Sequence, residues 1–125
     1  MNVRTRPDPA TRINPTAINP KAMRAAADES SALLKALSNR HRLLILCQLI
    51  DGEKSVGQLA DSIGVRDSTA SQHLALLRRD RIIAGRRDGQ TIWYRIASEP
   101  ALAIMQVLYA AYCGGSKSRG SGSRR

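Results

Sequence analysis

Two short helices in succession are predicted by residues 55–79, SVGQLADSIGVRDSTASQHLALLRR. Ser55 and Gln58 have the spacing of a capping box, in which each side chain accepts a hydrogen bond from the backbone N–H of the other residue. Gly64 is a typical helix-ending residue, and a second helix can begin soon after it. Two short helices joined by a brief glycine-containing turn predict a helix-turn-helix.

The later helix of this pair, the fourth predicted in the chain, runs from Asp67 or Ser68 to about Arg79 and has two unlike sides. At 100° per residue, Leu74 and Leu77 share an apolar side, and small polar groups lie opposite. Such a surface fits the major groove of DNA, where it can hydrogen-bond to base edges and phosphates. The alternative is that these residues only favour the start of a helix. The expected DNA-contacting residues of this helix are Ser68, Thr69, Ser71, Gln72 and Arg79.

Further helices are predicted ahead of this pair. From about Pro20 to Leu37, apolar residues recur at three- and four-residue intervals, as one face of a helix requires. Asn39 can cap the next helix, which is the second in chain order, and Gly52 can end it. In that second helix we expect Cys47 to point inward or nearly so.

A β-hairpin is predicted by residues 82–96, IIAGRRDGQTIWYRI, with Asp88-Gly89 as its turn. Trp93 and Tyr94 point to opposite faces of the second strand, so at most one of them can pack inward. A hairpin directly after a helix-turn-helix is the wing of a winged helix. The residues expected to contact backbone phosphate or the minor groove from its tip are Arg86, Arg87 and Gln90.

A last helix, capped by Ser98, is apolar on every side, because only Gln106 is polar from Ala101 to Cys113. One small domain can cover only one face of such a helix, so a second subunit is expected to cover another. The first and last helices are therefore predicted to form a two-fold homodimer. The predicted fold is mainly α with a β-hairpin wing: four helices, two strands and a fifth helix in a homodimeric winged helix-turn-helix domain spanning residues 21–113.

The charge of the chain is uneven. Twenty Lys and Arg stand against ten Asp and Glu among 125 residues, a net charge of +10. This excess of positive charge favours binding to a polyanionic partner, either nucleic acid or an acidic membrane surface. Residues 1–20 are expected to form a flexible basic arm, and residues 114–125, GGSKSRGSGSRR, a disordered basic tail. Between them, residues 66–95 hold seven arginines against three aspartates, which predicts one basic surface on a nearly neutral body.

The chain carries no evident targeting segment. Its longest strongly apolar stretch, residues 101–113, is shorter than the roughly 18 residues that cross a bilayer, and residues 1–21 lack the features of a secretory signal. We therefore expect a cytoplasmic protein with no membrane partner. Two cysteines, Cys47 and Cys113, do not make a disulfide framework, and in a reducing compartment both should rest as thiols.

Four segments resemble the arsenic-repressor (ArsR-type) family of winged-helix transcriptional repressors over roughly residues 28–113. They are LLKALSNRHRLLILCQL, SVGQLADSIGV, STASQHLALLRRD and GRRDGQTIWYRI. The most specific part of this resemblance is the motif Ser71-Gln72-His73-Leu74 followed by a basic hairpin. The resemblance implies a homodimer that blocks promoter DNA until an inducer binds, with the fourth helix in the groove. It also implies that His73 lies near the DNA, against the alternative of a packed or capping histidine.

Metal inducers are disfavoured by comparison with this family. Its arsenic-type sites resemble Cys-Val-Cys at the start of the third helix, where this chain has Ser55-Val56-Gly57. Its zinc-type sites use Asp, His and Glu on the last helix, where this chain offers only Glu99. Neither histidine of the chain has a cysteine or carboxylate at an evident ligand spacing. No metal site and no cofactor are expected.

The cysteines instead resemble those of the family's dithiol branch, which senses persulfide and represses sulfide-oxidation genes. What the resemblance implies is that one thiolate takes up sulfane sulfur and the second thiol closes a bridge of two or more sulfurs between Cys47 and Cys113. Such a bridge would tie the second helix to the last and lower the affinity for DNA. Reactive sulfur species are thus the expected inducer.

Other functions stay open from the residues alone. The cysteines can be two buried apolar residues with no redox role, and the inducer can be another thiol oxidant or a metal. A protein that coats nucleic acid without sequence preference would also carry basic tails. An enzyme is not expected, because no Ser-His-Asp set, Cys-x-x-Cys, phosphate loop or carboxylate pair is evident.

Overall fold

A computed structural model describes residues 19–114. The predicted arm and tail lie almost wholly outside these residues. Within them the chain forms five helices and three strands in the order α1 (Pro20–Leu37), α2 (Arg40–Leu49), β1 (Lys54–Ser55), α3 (Val56–Ile63), α4 (Asp67–Arg79), β2 (Ile83–Asp88), β3 (Thr91–Ile96) and α5 (Glu99–Tyr112).

The chain divides into two units after Ala32. In the first unit the described residues form the beginning of α1, where Asn19 Oδ1 accepts hydrogen bonds from the N–H groups of Lys21 at 2.9 Å and Ala22 at 3.3 Å. All residues of α1 before Leu33 are exposed. The second unit holds the end of α1 and every later element.

The helix caps predicted from the sequence are present. Asn39 Oδ1 accepts a hydrogen bond from the N–H of Arg42 at 3.0 Å and starts α2. Ser55 and Gln58 form the reciprocal capping box of α3, with distances of 3.0 and 3.3 Å. Gly64 ends α3 in the left-handed conformation, with φ of 75°. Each cap satisfies backbone groups that a helix end leaves without an intrahelical partner.

The sheet has one strand more than the sequence predicted. Lys54–Ser55 form β1, which pairs antiparallel with β3 and gives the strand order β1-β3-β2. A two-residue strand is too short to show an alternating pattern, so it has no periodic signal in the sequence.

The wing, defined as the β2–β3 hairpin, turns one residue later than predicted. Asp88 pairs with Thr91, so the loop is Gly89-Gln90 instead of Asp88-Gly89. Gly89 has a φ of 66°, and Gln90 is not among the residues of positive φ. A loop that needs positive φ only at its first position has the form of a type II′ turn, for which glycine is the usual first residue.

The core lies in the second unit and joins all of its helices to the wing. On α4 the apolar side predicted at 100° per residue is the buried side, with Ala70, Leu74 and Leu77 at most 1% exposed. Of the two aromatic neighbours on β3, Tyr94 is the one that packs against the core. The buried cluster consists of Leu37, Ile45, Leu46, Leu49, Leu59, Leu74, Leu77, Ile82, Ile83, Ala101 and Met105.

Candidate DNA-binding surface and cysteine site

The polar side of α4 faces solvent. Because Leu74 and Leu77 anchor the opposite side in the core, the orientation of this surface is fixed by packing. Thr69 is half-buried at its edge. The predicted contact residues that are exposed on this helix are Ser68, Ser71, Gln72 and Arg79.

His73 has a different environment from these residues. Its ring is half-buried and meets the ring of His41 on α2 edge to face, with centroids 5.5 Å apart. Its Nδ1 atom is buried and has no hydrogen-bond partner among residues 19–114. Burial lowers the pKa of His73 below its usual value, and the nearby charges of Arg42 and His41 lower it further. The structure therefore packs the His73 imidazole against His41 of α2, in surroundings that favour its neutral form, and a DNA contact by His73 stays a prediction.

A groove of about 350 Å³ separates α4 from the wing. Its walls bring together the predicted contacts Ser71 and Arg79 with Arg78 and Tyr94, which the sequence had not assigned to the site. Arg79 also pairs with the adjacent Asp80 at 3.3 Å. On the helical wheel Arg78 lies about 100° from Arg79, on the flank of the apolar side, so its place in the groove was not evident from the sequence. Tyr94 joins the groove only through the folding of β3 back toward α4.

The wing residues predicted to contact DNA are exposed, but they differ in what they touch. Arg87 and Gln90 stand near or at the tip. Arg86 is held by Glu53: its Nη2 atom lies 2.8 Å from Oε1, and its Nε donates to both carboxylate oxygens at 3.0 Å. The hydrogen bond from Arg86 lowers the pKa of Glu53, so this carboxylate is charged at neutral pH. Glu53 was missed because 33 positions separate it from Arg86.

The two cysteines lie at one cavity. It has a volume of about 620 Å³ between α2 and the carboxyl end of α5. Cys47 is half-buried on α2, Cys113 is exposed just after α5, and no disulfide joins them. The residues that line the cavity with them are Ser38, Asn39, Arg40, Leu43, Leu44, Met105, Leu108, Tyr109 and Tyr112.

The environment of Cys47 holds its thiol in the protonated form. Burial raises the pKa of Cys47 above its ordinary value, and the negative charges of Cys113 and Asp51 raise it further. Since the thiolate is the nucleophile, both the raised pKa and the partial burial of Cys47 oppose its reaction with reagents in solvent.

Residues 19–114 contain neither a metal-ligand cluster nor a membrane-spanning helix. No three His, Cys, Asp or Glu side chains in this part of the chain are grouped so that they could hold a metal ion. None of the described helices has the length and apolar character needed to span a membrane.

Comparison with known proteins relates the chain to bacterial regulators. Residues 39–84 match the family described as bacterial regulatory protein, arsR family. The chain is 40% identical over 96 residues to the transcriptional activator HlyU of Vibrio cholerae, an alignment that covers 77% of this chain and 89% of HlyU. It is 40% identical over 92 residues to the biofilm growth-associated repressor of Agrobacterium fabrum, covering 74% and 79% of the two chains.

Solved structures agree with this relation. Reduced HlyU from Vibrio cholerae matches with a TM-score of 0.72 and 40% identity, over 74% of this chain and 98% of that chain. The homodimeric winged helix-turn-helix DNA-binding domain of a Mycobacterium bovis protein matches with a TM-score of 0.66 and 28% identity, over 85% and 98%. The winged helix-turn-helix predicted from the sequence is thereby confirmed.

Proposed function

Because the chain belongs to the ArsR family of bacterial regulatory proteins, we propose that this DNA-binding transcriptional regulator is a homodimeric, cytoplasmic repressor. It releases promoter DNA when reactive sulfur joins Cys47 to Cys113. The observation that carries the proposal is the cavity of about 620 Å³ that both cysteines line.

DNA binding is assigned to α4 and the wing. The exposed hydroxyl, amide and guanidinium groups of α4 can enter the major groove, and the wing tip can reach backbone or minor groove beside it. The groove between α4 and the wing carries Arg78 and Arg79, which adds positive charge where the phosphate backbone would pass. The contacts predicted from the sequence are Ser68, Thr69, Ser71, Gln72, His73, Arg79, Arg86, Arg87 and Gln90.

A homodimer is supported by the apolar residues that α5 leaves in solvent. Val107 is 66% exposed, Tyr109 48% and Tyr112 78%, and Leu34 at the end of α1 is 55% exposed. Apolar side chains of this size gain free energy when a second surface covers them. The matched Mycobacterium bovis domain is described as homodimeric. A two-fold dimer would present two copies of α4 to a palindromic site.

The sulfur step follows from thiol chemistry. The thiolate of Cys113, the exposed residue, attacks the outer sulfur of an organic persulfide RSSH, the S–S bond breaks, and RS⁻ leaves while Cys113 becomes a persulfide. The thiolate of Cys47 then attacks the sulfur bonded to the Cys113 Cβ and expels HS⁻, which leaves a disulfide. If both cysteines carry an added sulfur, attack of one persulfide on the inner sulfur of the other expels HS⁻ and leaves a trisulfide.

Promoter retention measured together with intact mass tests this proposal. Reduced protein is expected to retain the duplex immediately upstream of its own gene over a scrambled duplex, and treatment with sodium tetrasulfide should release it. The mass of the released protein should show a disulfide or an added-sulfur bridge. Parallel treatments with peroxide and with zinc and arsenite identify other inducers, and equal retention of both duplexes would indicate a coating protein instead.

Cysteine variants supply the control. Cys47→Ser and Cys113→Ser are expected to bind DNA as the unaltered chain does and to stay bound after tetrasulfide. The thiol mechanism fails if both variants still dissociate.

A further inference from the structure

One ion pair spans the whole width of the sheet. Glu53 lies directly before β1 and Arg86 lies in β2, and the central strand β3 runs between them. The carboxylate and the guanidinium meet through three contacts of 2.8 to 3.0 Å. A bidentate pair of this kind fixes the orientation of the arginine as well as its position. It therefore links the segment that leads into α3 directly to the wing.

The strand register shows which face this pair occupies. Ser55 and Arg86 both stand opposite Trp93, so these residues share one face of the sheet. Glu53, two residues before Ser55, falls on the same face because side chains alternate along an extended chain. This face is opposite to the one from which Tyr94 packs against the core.

Arg87 points the other way. It stands opposite Ile92, on the face that also carries Tyr94 and Gly85. Tyr94 lines the groove beside α4 together with Arg78 and Arg79, so the Arg87 face is the one turned toward α4. Among residues 19–114, Arg87 has no ion pair, whereas Arg86 is already engaged by a carboxylate. Two adjacent arginines of the wing thus have different electrostatic states and different directions.

We propose that these two arginines have separate roles: Arg87 contacts the DNA phosphate backbone, and Arg86 acts as a positioning residue that Glu53 holds in place. The Glu53–Arg86 pair sets the placement of the wing relative to α3 and α4, and with it the distance between the wing tip and the groove that α4 enters. A phosphate that bound Arg86 in place of Glu53 would leave this half-buried carboxylate beside the DNA without its partner, which opposes binding.

The salt dependence of DNA affinity separates the two roles. We compare Glu53→Gln, Arg86→Gln, the double variant and Arg87→Gln, titrated with the duplex upstream of the gene at several salt concentrations. Arg87→Gln should reduce the slope of log K against log salt by about 0.9, because one phosphate contact is lost. Glu53→Gln and Arg86→Gln should each weaken binding by about 3- to 10-fold with an unchanged slope, and the double variant should be no weaker than the weaker-binding single variant.

Two further measurements distinguish positioning from a general loss of structure. In hydroxyl-radical footprints, both pair variants should lose protection only at the outer edges of the site, under the wing, and keep it at the centre. The charge-reversed pair Glu53→Arg with Arg86→Glu rebuilds the contact on the same face and should restore affinity and footprint. The proposal is overturned if Glu53→Gln tightens binding, if Arg86→Gln lowers the slope by about one unit, or if the reversed pair restores nothing while remaining folded by circular dichroism.

Discussion

At the scale of single residues, the cysteine site contains two thiols of different character in one cavity. Cys47 is half-buried on α2 and its pKa is raised, first by burial and then by the negative charges of Cys113 and Asp51. Cys113 is exposed at the end of α5. This asymmetry supports an order of events in which the exposed Cys113 reacts first with the persulfide and the half-buried Cys47 then closes the bridge. The raised pKa also protects Cys47 from reagents that need a thiolate.

Alkylation rates test this order. At neutral pH, iodoacetamide is expected to modify Cys113 before Cys47, because Cys113 is exposed, whereas Cys47 is half-buried and its raised pKa lowers its thiolate fraction. The rate at Cys47 should keep increasing as the pH passes 9.0, the ordinary thiol value, since its own pKa lies above that value. Peptide mass mapping over time measures both rates. In Cys113→Ser, Cys47 should still titrate above 9.0, because burial is the largest cause of the shift; equal rates at both thiols would contradict the proposed order.

At the scale of elements, the wing is built closely around Gly85. A Cβ atom at this position would lie 2.9 Å from Cγ2 of Ile92 and 3.3 Å from Cε1 of Tyr94. Tyr94 packs against the core, and both side chains lie on the face turned toward α4. A side chain at residue 85 would therefore force Ile92 or Tyr94 to move.

Two glycine-to-alanine changes make this requirement measurable. Gly85→Ala is expected to lower the free energy of unfolding by about 1–3 kcal/mol, because the strands or Tyr94 must move to admit the methyl group. Gly57→Ala is the matched control: in α3 its Cβ would meet only Ser55 Oγ, at 4.0 Å, and alanine should stabilise the helix by about 0.5–1 kcal/mol. Urea unfolding of both variants measures the difference. A Gly85→Ala variant as stable as the unaltered chain would show that the wing yields easily at this point.

The elements also show how far the sequence predicts this fold. Helices were predicted well because their signals are local: the capping box at Ser55, the cap at Asn39 and the left-handed Gly64 each depend on a few neighbouring residues. The strand at Lys54–Ser55 was not predicted, because it exists only through pairing with β3, about forty residues later. The hairpin was predicted, but its turn was placed one residue early. Glycine is a usual residue at either central position of a two-residue loop, so both Asp88-Gly89 and Gly89-Gln90 are compatible with the sequence.

The candidate site likewise has features that local sequence patterns predict and features that depend on tertiary packing. A helical wheel predicts the exposed polar side of α4, since burial of Leu74 and Leu77 fixes it. It cannot predict that Glu53 engages Arg86 across the sheet, nor that Tyr94 borders the groove beside α4, because both contacts depend on tertiary packing. The distance between the cysteines is not encoded in any local pattern, and their common cavity is a property of how α2 and α5 pack.

At the scale of the whole molecule, the proposed switch requires two copies of the chain. One copy of α4 reads only half of a palindromic site, and a change in the spacing of two copies is what would lower affinity. The cysteine cavity and the exposed face of α5 belong to the same helix, because Cys113 directly follows it. A bridge from Cys113 to α2 would therefore act on the helix that also forms the proposed dimer surface.

A charge placed on this surface tests the dimer. Val107→Glu is expected to give a monomer in sedimentation velocity, because a carboxylate would be buried against an apolar partner surface. DNA affinity should fall by more than 10-fold, since the second half-site contact is lost with the partner. Ser62→Glu is the control: it adds a negative charge to an exposed position of α3, outside the proposed dimer surface of α1 and α5, and should leave the dimer intact in sedimentation velocity. If the unaltered chain already sediments as a monomer while binding the palindrome tightly, neither the α5 dimer nor a switch that acts through it can be correct.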